Sequence, residues 1–225
     1  MIALARLAAA TIAIALAAAG LGIGLGIGLG AGCAHQPPPP VMAPPFAVDM
    51  PPADALPGTF TVRQKLKATS EKGGGSFEAV LQKKPGKLTL LGITPYGSRA
   101  FLLEQTGGEI QFQSFIPRDL PFPPTFVLLD IHRVLDTWLG PPPPGGEGQR
   151  ADVRRGERVA ERWHAGHLVE RTFTRVAPDP NAGPAASGVI TATYEGDGPS
   201  GLPAHVKLVN PRLGYEIAID TVAAQ

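Results

Sequence analysis

Cys33 is the only thiol in the chain, and it stands directly after Leu29-Gly30-Ala31-Gly32 at the end of a long apolar run. A thiol in that place is a candidate for covalent lipid attachment. A charged start (Arg6), an apolar stretch and small residues ahead of a lone Cys make an export signal ending at the modified residue. Two other readings stay open. The run from Leu7 to Gly32 is long enough to span a bilayer as an uncleaved anchor, and a secreted protein with an incidental Cys would look similar. Against the anchor stand Gly20, Gly22, Gly24, Gly26, Gly28, Gly30 and Gly32, each costing a helix roughly 1 kcal/mol relative to alanine.

The other residues able to do chemistry do not converge. His164-Ala165-Gly166-His167 sets two imidazoles about a tight turn, a poor zinc site without a matching acidic ligand. No Gly-x-Ser-x-Gly elbow occurs, and an acylated Cys33 leaves no thiol as nucleophile, metal ligand or disulfide partner. Asp130 and Asp136 lie roughly 600° apart around a helix axis, so they do not face each other. Glu161 and Glu170 sit among hairpin charges, where cross-strand pairing with arginines is the ordinary role. The expectation is a protein with no catalysis, no cofactor and no metal.

Charge and composition set the frame. Arg6 is the only charged residue before Cys33, so the remainder carries 20 − 1 = 19 basic against 19 acidic residues. A formal charge of zero gives no basic patch for nucleic acid. The domain reading is a signal over residues 1–32, a lipidated Cys and Pro-rich tether over 33–58, and one β-rich domain over 59–225. Pro37–Pro40, Pro44, Pro45, Pro51, Pro52 and Pro57 make the tether extended and semi-rigid, because proline fixes φ and lacks an N–H.

From Thr59 the chain alternates. Phe60, Val62, Gln64, Leu66 and Ala68 interleave with polar residues, a two-residue period that predicts a strand. Strands are likewise expected at Ser76–Gln82, Lys87–Ile93, Ala100–Glu104 and Ile110–Ile116, separated by Gly/Pro turns. Lys87–Ile93 and Ala100–Glu104 are apolar at nearly every residue, which predicts cover on both faces. Thr125 is read as the N-cap of a helix over Phe126–Leu139, with Val127, Ile131, Val134, Leu135 and Trp138 as its apolar stripe. His132 on that helix is read as solvated or hydrogen-bonded. After Pro141–Pro144 strands resume at Arg158–His164, His167–Val176, Val189–Glu195, His205–Asn210 and Tyr215–Val222. Two antiparallel meanders with one inserted helix make an α+β layout, the helix covering a sheet face.

The approach to Cys33 resembles the lipobox of bacterial lipoproteins, with Leu29 one step further out than usual. The order of parts resembles LolB, the outer-membrane lipoprotein receptor, and more closely the LolB-like lipoproteins found beside aryl-polyene biosynthesis genes. The residues that carry this are Lys87-Leu88-Thr89-Leu90-Leu91-Gly92, Pro95-Tyr96-Gly97, Asp136-Thr137-Trp138-Leu139-Gly140, His167-Leu168-Val169-Glu170-Arg171, Leu202-Pro203, Leu208-Val209-Asn210 and Gly214-Tyr215. The resemblance implies an incomplete antiparallel barrel, a half barrel with one main helix packed on its concave face, holding an apolar cavity for acyl chains. Candidate cavity residues are Leu90, Phe101, Leu103, Phe112, Leu129 and Trp138. It also implies that the turn at Pro95, Tyr96 and Gly97 is a mouth or membrane-facing turn, with Tyr96 where LolB exposes a leucine. Ala34 after the Cys favours the outer membrane, facing the periplasm. The implied partners are the membrane, through lipidated Cys33, and acyl chains or lipoproteins as cargo. An adaptor lipoprotein, its barrel filled by its own side chains and its loops binding an envelope protein, remains the alternative.

Overall fold

The computed structural model of the chain describes residues 49–71, 73–117, 123–176 and 188–224. The expected signal, Cys33 and most of the tether lie outside the described residues. Among those described, no helix is long and apolar enough to cross a membrane.

Strand β1 (Phe60–Ser70) buries Phe60, Val62, Gln64, Leu66 and Ala68 and leaves the residues between them half-buried or exposed. The same alternation builds β2 (Gly73–Lys84), β3 (Lys87–Ile93), β4 (Arg99–Thr106) and β5 (Glu109–Ser114). The chain then forms α1 (Pro124–Leu135) and returns as β6 (Gly148–Arg154), β7 (Glu157–His164), β8 (His167–Arg175), β9 (Ile190–Asp197), β10 (Pro203–Asn210) and β11 (Tyr215–Ala224). Each strand pairs antiparallel with the next within its meander, and β11 closes onto β1. The spatial order is β5-β4-β3-β2-β1-β11-β10-β9-β8-β7-β6.

This corrects the expected fold class. The expected α+β class, an incomplete barrel with one main helix packed as a layer on its concave face, is not the class observed. One continuous open antiparallel sheet of 11 strands carries the fold, and the single α-helix among the described residues has 12 residues. The expected layer came from reading two separate meanders, but β1 and β11 pair from Val62 and Ala224 to Ser70 and Tyr215 and join them. An open sheet of this kind is consistent with a half barrel.

The helix is also shorter than its stripe predicts. It begins after Pro123, with Pro124 at the first position and Thr125 inside it rather than capping it. Proline suits that start because its missing N–H is one a helix start leaves unpaired anyway. It ends at Leu135, so Trp138 and Leu139 belong to the following turn.

Two consecutive residues of α1 reveal the curl of the sheet. His132 bonds to Gln105 on β4, and Arg133 bonds to Glu157 on β7. Those strands are eight steps apart in the sheet order, about 38 Å if the sheet were flat. Neighbouring side chains cannot bridge that distance, so the two halves of the sheet curl toward each other.

Strand β6 has no counterpart among the expected strands. All its residues are exposed except half-buried Arg150, so it shows no apolar alternation to read. The double cover expected for β3 and β4 is also absent: Leu91 and Leu102 pair on the outward face and stay half-buried. Gly92 on the inward face admits the ring of Phe101, its cross-strand partner; a Cβ there would sit 2.2 Å from that ring.

Residues ahead of Thr59, assigned to the tether by their prolines, touch the sheet. Ala53 and Leu56 are buried. Ala53 N–H donates to the Gly107 carbonyl, and Asp54 accepts from Lys83 Nζ (2.9 Å) and Gly86 N–H (2.7 Å).

Candidate functional site

The inward faces of the central strands and one face of α1 enclose a cleft. The helix contributes Val127, Asp130, Ile131, Val134 and Leu135, the i, i+3, i+4, i+7, i+8 set that shares one helical face. Opposite them lie Leu66, Leu81, Leu90, Val206, Leu208, Ile217 and Ile219 from five adjacent strands, with Gln64, Thr221 and Pro203 completing the wall. The enclosed space is about 50 Å³, room for more than one water but well below the 300–1,000 Å³ or so of a preformed small-molecule pocket.

Strand register orders the polar groups along this cleft. Tyr215 and Asn210 pair at one end of β11 and β10, followed by Ile217 with Leu208 and Ile219 with Val206. Thr221 comes next and pairs with Gln64 on β1. Tyr215 to Thr221 is roughly 20 Å of strand. Asp130 bonds to Asn210 and Tyr215, so it marks one end, and Gln64 with Thr221 marks the other.

Asp130 is fully engaged. Its Oδ1 accepts from Arg133 Nη1 at 2.8 Å, and its Oδ2 accepts from Asn210 Nδ2 at 3.0 Å and from the Tyr215 hydroxyl. Arg133 also holds Glu157 (3.1 Å), which accepts in addition from Arg212. Burial opposes the charge on Arg133, but Asp130 and Glu157 outweigh it and hold its pKa above the usual guanidinium value. Burial, followed by the Asp130 charge, pushes the Tyr215 phenol well up, so it stays a donor. These groups are a structural clamp between α1 and the second meander, because every charge in it meets an opposite one.

The last carbonyls of α1 are satisfied from outside the helix. Trp138 Nε1 donates to the His132 carbonyl (3.0 Å), Arg171 to those of Arg133 (2.8 Å) and Val134 (3.2 Å), and the Tyr194 hydroxyl to that of Val134 (3.1 Å). A buried helix end needs such partners, and the Arg171 cation also meets the negative end of the helix dipole.

His132 is fully buried. Gln105 spends its amide donors on the Pro51 and Gly107 carbonyls, so its Oε1 accepts from His132 Nε2 at 2.9 Å. That leaves His132 Nδ1 bare and without a partner among the described residues. Burial, with Arg155 adding to it, lowers the His132 pKa from 6.5 to about 4. As pH falls through that window the unfolded chain takes up a proton that the folded chain refuses. The contribution is therefore complete above about pH 6.5 and falls by about 3 kcal/mol on reaching pH 4. Urea midpoints at neutral pH and near pH 5 should show the wild type losing more stability than His132→Gln, which keeps a donor to Gln105 but cannot titrate.

Of the six expected cavity residues only Leu90 lines the cleft. Phe101 and Leu103 are buried in the core, with Phe112 packed half-buried against it. Leu129 is buried, and Trp138 lies edge-on to Phe173 with ring centroids 5.3 Å apart. The turn of Pro95, Tyr96 and Gly97 is closed by Gly97 N–H to the Thr94 carbonyl, with Gly97 at φ +82°. Tyr96 is 95% exposed. Gln64 is level in register, through Ala79, with Gly92 near the end of β3, and this turn follows that same end. His164 and His167 point to separate acids, Glu147 and Asp197 (both 3.1 Å). Glu161 accepts from Arg171 and Arg150, its neighbours in register, and Glu170 from Arg162. No group of three or more metal-capable residues occurs among the described residues.

Sequence reading missed Gln64, Thr221, Gln105, Asn210, Arg212 and Tyr215 as parts of the site. Gln64 stood in the β1 alternation at a buried position, the one signal that a polar side chain faced inward.

The fold and cleft define a β-sheet protein with an apolar, helix-covered groove. Residues 61–223 match the family described as protein of unknown function DUF3261, and the chain belongs to that family. No curated protein matches the chain. A solved structure described as an outer membrane lipoprotein-sorting protein domain from Vibrio parahaemolyticus is similar at 11% identity and a TM-score of 0.38, over 75% of this chain and 85% of that one.

Proposed function

We propose that the chain is a non-enzymatic envelope lipoprotein, anchored through Cys33 in the outer membrane and facing the periplasm. It takes up an acyl chain, free or carried by a lipid or lipoprotein, in the cleft between α1 and the central strands. The observation that supports this most is the cleft itself: five adjacent strands and one helical face line it almost wholly with aliphatic side chains. Burial there would contribute about 25 cal/mol per Å² of apolar area. Tyr96, exposed at a turn between two apolar strands, is amphipathic and suited to a membrane interface.

The small enclosed volume sets a condition. A whole chain fits only if α1 or its side chains give way, and half-buried Val127, Ile131 and Leu135 are the ones least held. The same observation favours a second reading, the adaptor lipoprotein whose barrel its own side chains fill. Ile131→Trp separates the two, because it fills the cleft from the half-buried helix face. For a carrier, lipid found with the purified full-length protein by mass spectrometry should fall at least about tenfold with the fold retained. Absence of lipid from the wild type, or equal lipid in both, would leave the adaptor.

A further inference from the structure

We infer that the ligand of this cleft ends in an uncharged hydrogen-bonding group, an ester, amide or alcohol, received by Gln64 and Thr221, and that a free fatty-acid carboxylate is rejected. The inference rests on the acyl-binding reading above and names the chemistry of the group at the chain's end.

Among the described residues the cleft wall contains no Lys, Arg or His, and its one charged residue is Asp130. Both oxygens of that carboxylate are occupied, by Arg133 on one side and by Asn210 and Tyr215 on the other. A carboxylate entering the cleft would lose its hydration and find no cation among the described residues to replace it, since Arg133 is already held by Asp130 and Glu157. Burying an unpaired charge is among the costliest steps available to a protein. A neutral head escapes that cost but still needs a partner for its oxygen or N–H.

Gln64 and Thr221 supply one. They face each other in register across β1 and β11, at the end of the cleft away from Asp130. Both are buried, at 6% and 9% exposure. Their mutual hydrogen bond is 3.5 Å, the outer limit for such a contact, and is the only side-chain hydrogen bond of either among the described residues. An amide with donors and an acceptor beside a hydroxyl that does both can exchange that loose bond for two good ones to a neutral head. A purely structural pair in an aliphatic wall would be cheaper as Leu and Val, since a buried polar pair gains little over apolar groups of the same shape.

The test is competition on the full-length protein held in amphipol. The neutral fluorescent probe phenylnaphthylamine is displaced at neutral pH by methyl decanoate, decanamide, decanol or sodium decanoate. The neutral ligands should displace it at concentrations at least about tenfold below decanoate. Gln64→Leu with Thr221→Val should weaken decanamide several-fold relative to the probe and to the ester-free alkane decane. Gln64→Lys should bring decanoate up toward the neutral ligands by giving the cleft its missing cation. Decanoate competing as well as the ester in the wild type would overturn the head-group assignment and leave acyl binding intact. An unchanged ligand order in the folded double variant would likewise overturn the roles of Gln64 and Thr221. A wild type that takes up neither probe nor ligand would overturn the acyl-binding reading and this inference together.

Discussion

Trp138→Ala should cost about 3–5 kcal/mol of stability, the usual loss for emptying a large aromatic site in a packed core. The ring is 8% exposed and meets Phe173 edge-on. Its Nε1–H also closes the His132 carbonyl at the end of α1, so the variant loses a helix-end partner as well as apolar contact. Trp138→Phe isolates that second part: it refills most of the space without the donor, and should lose about 1–2 kcal/mol. Chemical denaturation of the three proteins checks both figures. Because Trp138 lies outside the wall of the cleft, neither variant should alter the relative affinity of ligands while folded. A loss below about 1 kcal/mol for the alanine variant would mean that the ring does not hold the helix end.

Arg133→Met should be of similar size, about 3–5 kcal/mol, for a different reason. It leaves Asp130 and Glu157 buried with one cation fewer, and breaking a buried ion pair from one side costs more than the pair itself contributes. Arg133 is 3% exposed and joins α1 to β7 through Glu157. Neutralising the partner should therefore recover part of the loss. Glu157→Gln combined with Arg133→Met should destabilise by less than the sum of the single variants, as expected of residues in one network. Denaturation midpoints for the cycle measure this, and strict additivity would show that the two side chains do not act as a pair. The same substitution should loosen α1 over the cleft, visible as faster amide exchange in Val127–Leu135.

The strands were legible because their signal is local. A period of two in Phe60, Val62, Gln64, Leu66 and Ala68 states which side is buried, whatever lies opposite. Strand β6 was not legible, since an edge strand exposed at nearly every residue has no buried face to write into its sequence. The helix was legible as a helix, but its end was not. Leu135 and Trp138 continue the apolar stripe, and what stops α1 is a set of donors from Trp138, Arg171 and Tyr194, two of them on other strands.

By itself the sequence determined the antiparallel meanders apart from β6, and the alternation that gives β1 its buried face. It determined even that Gln64 faces inward. Which groups meet was decided by the tertiary structure alone. Gln64 and Thr221 are 157 residues apart, and Asp130 and Tyr215 are 85 apart. Their meeting depends on β11 pairing with β1 and on the curl that brings α1 between the two halves. The union of the meanders into one sheet is of the same kind. Backbone pairing between distant strands leaves no mark on either segment alone, because any strand offers the same N–H and C=O groups to any edge.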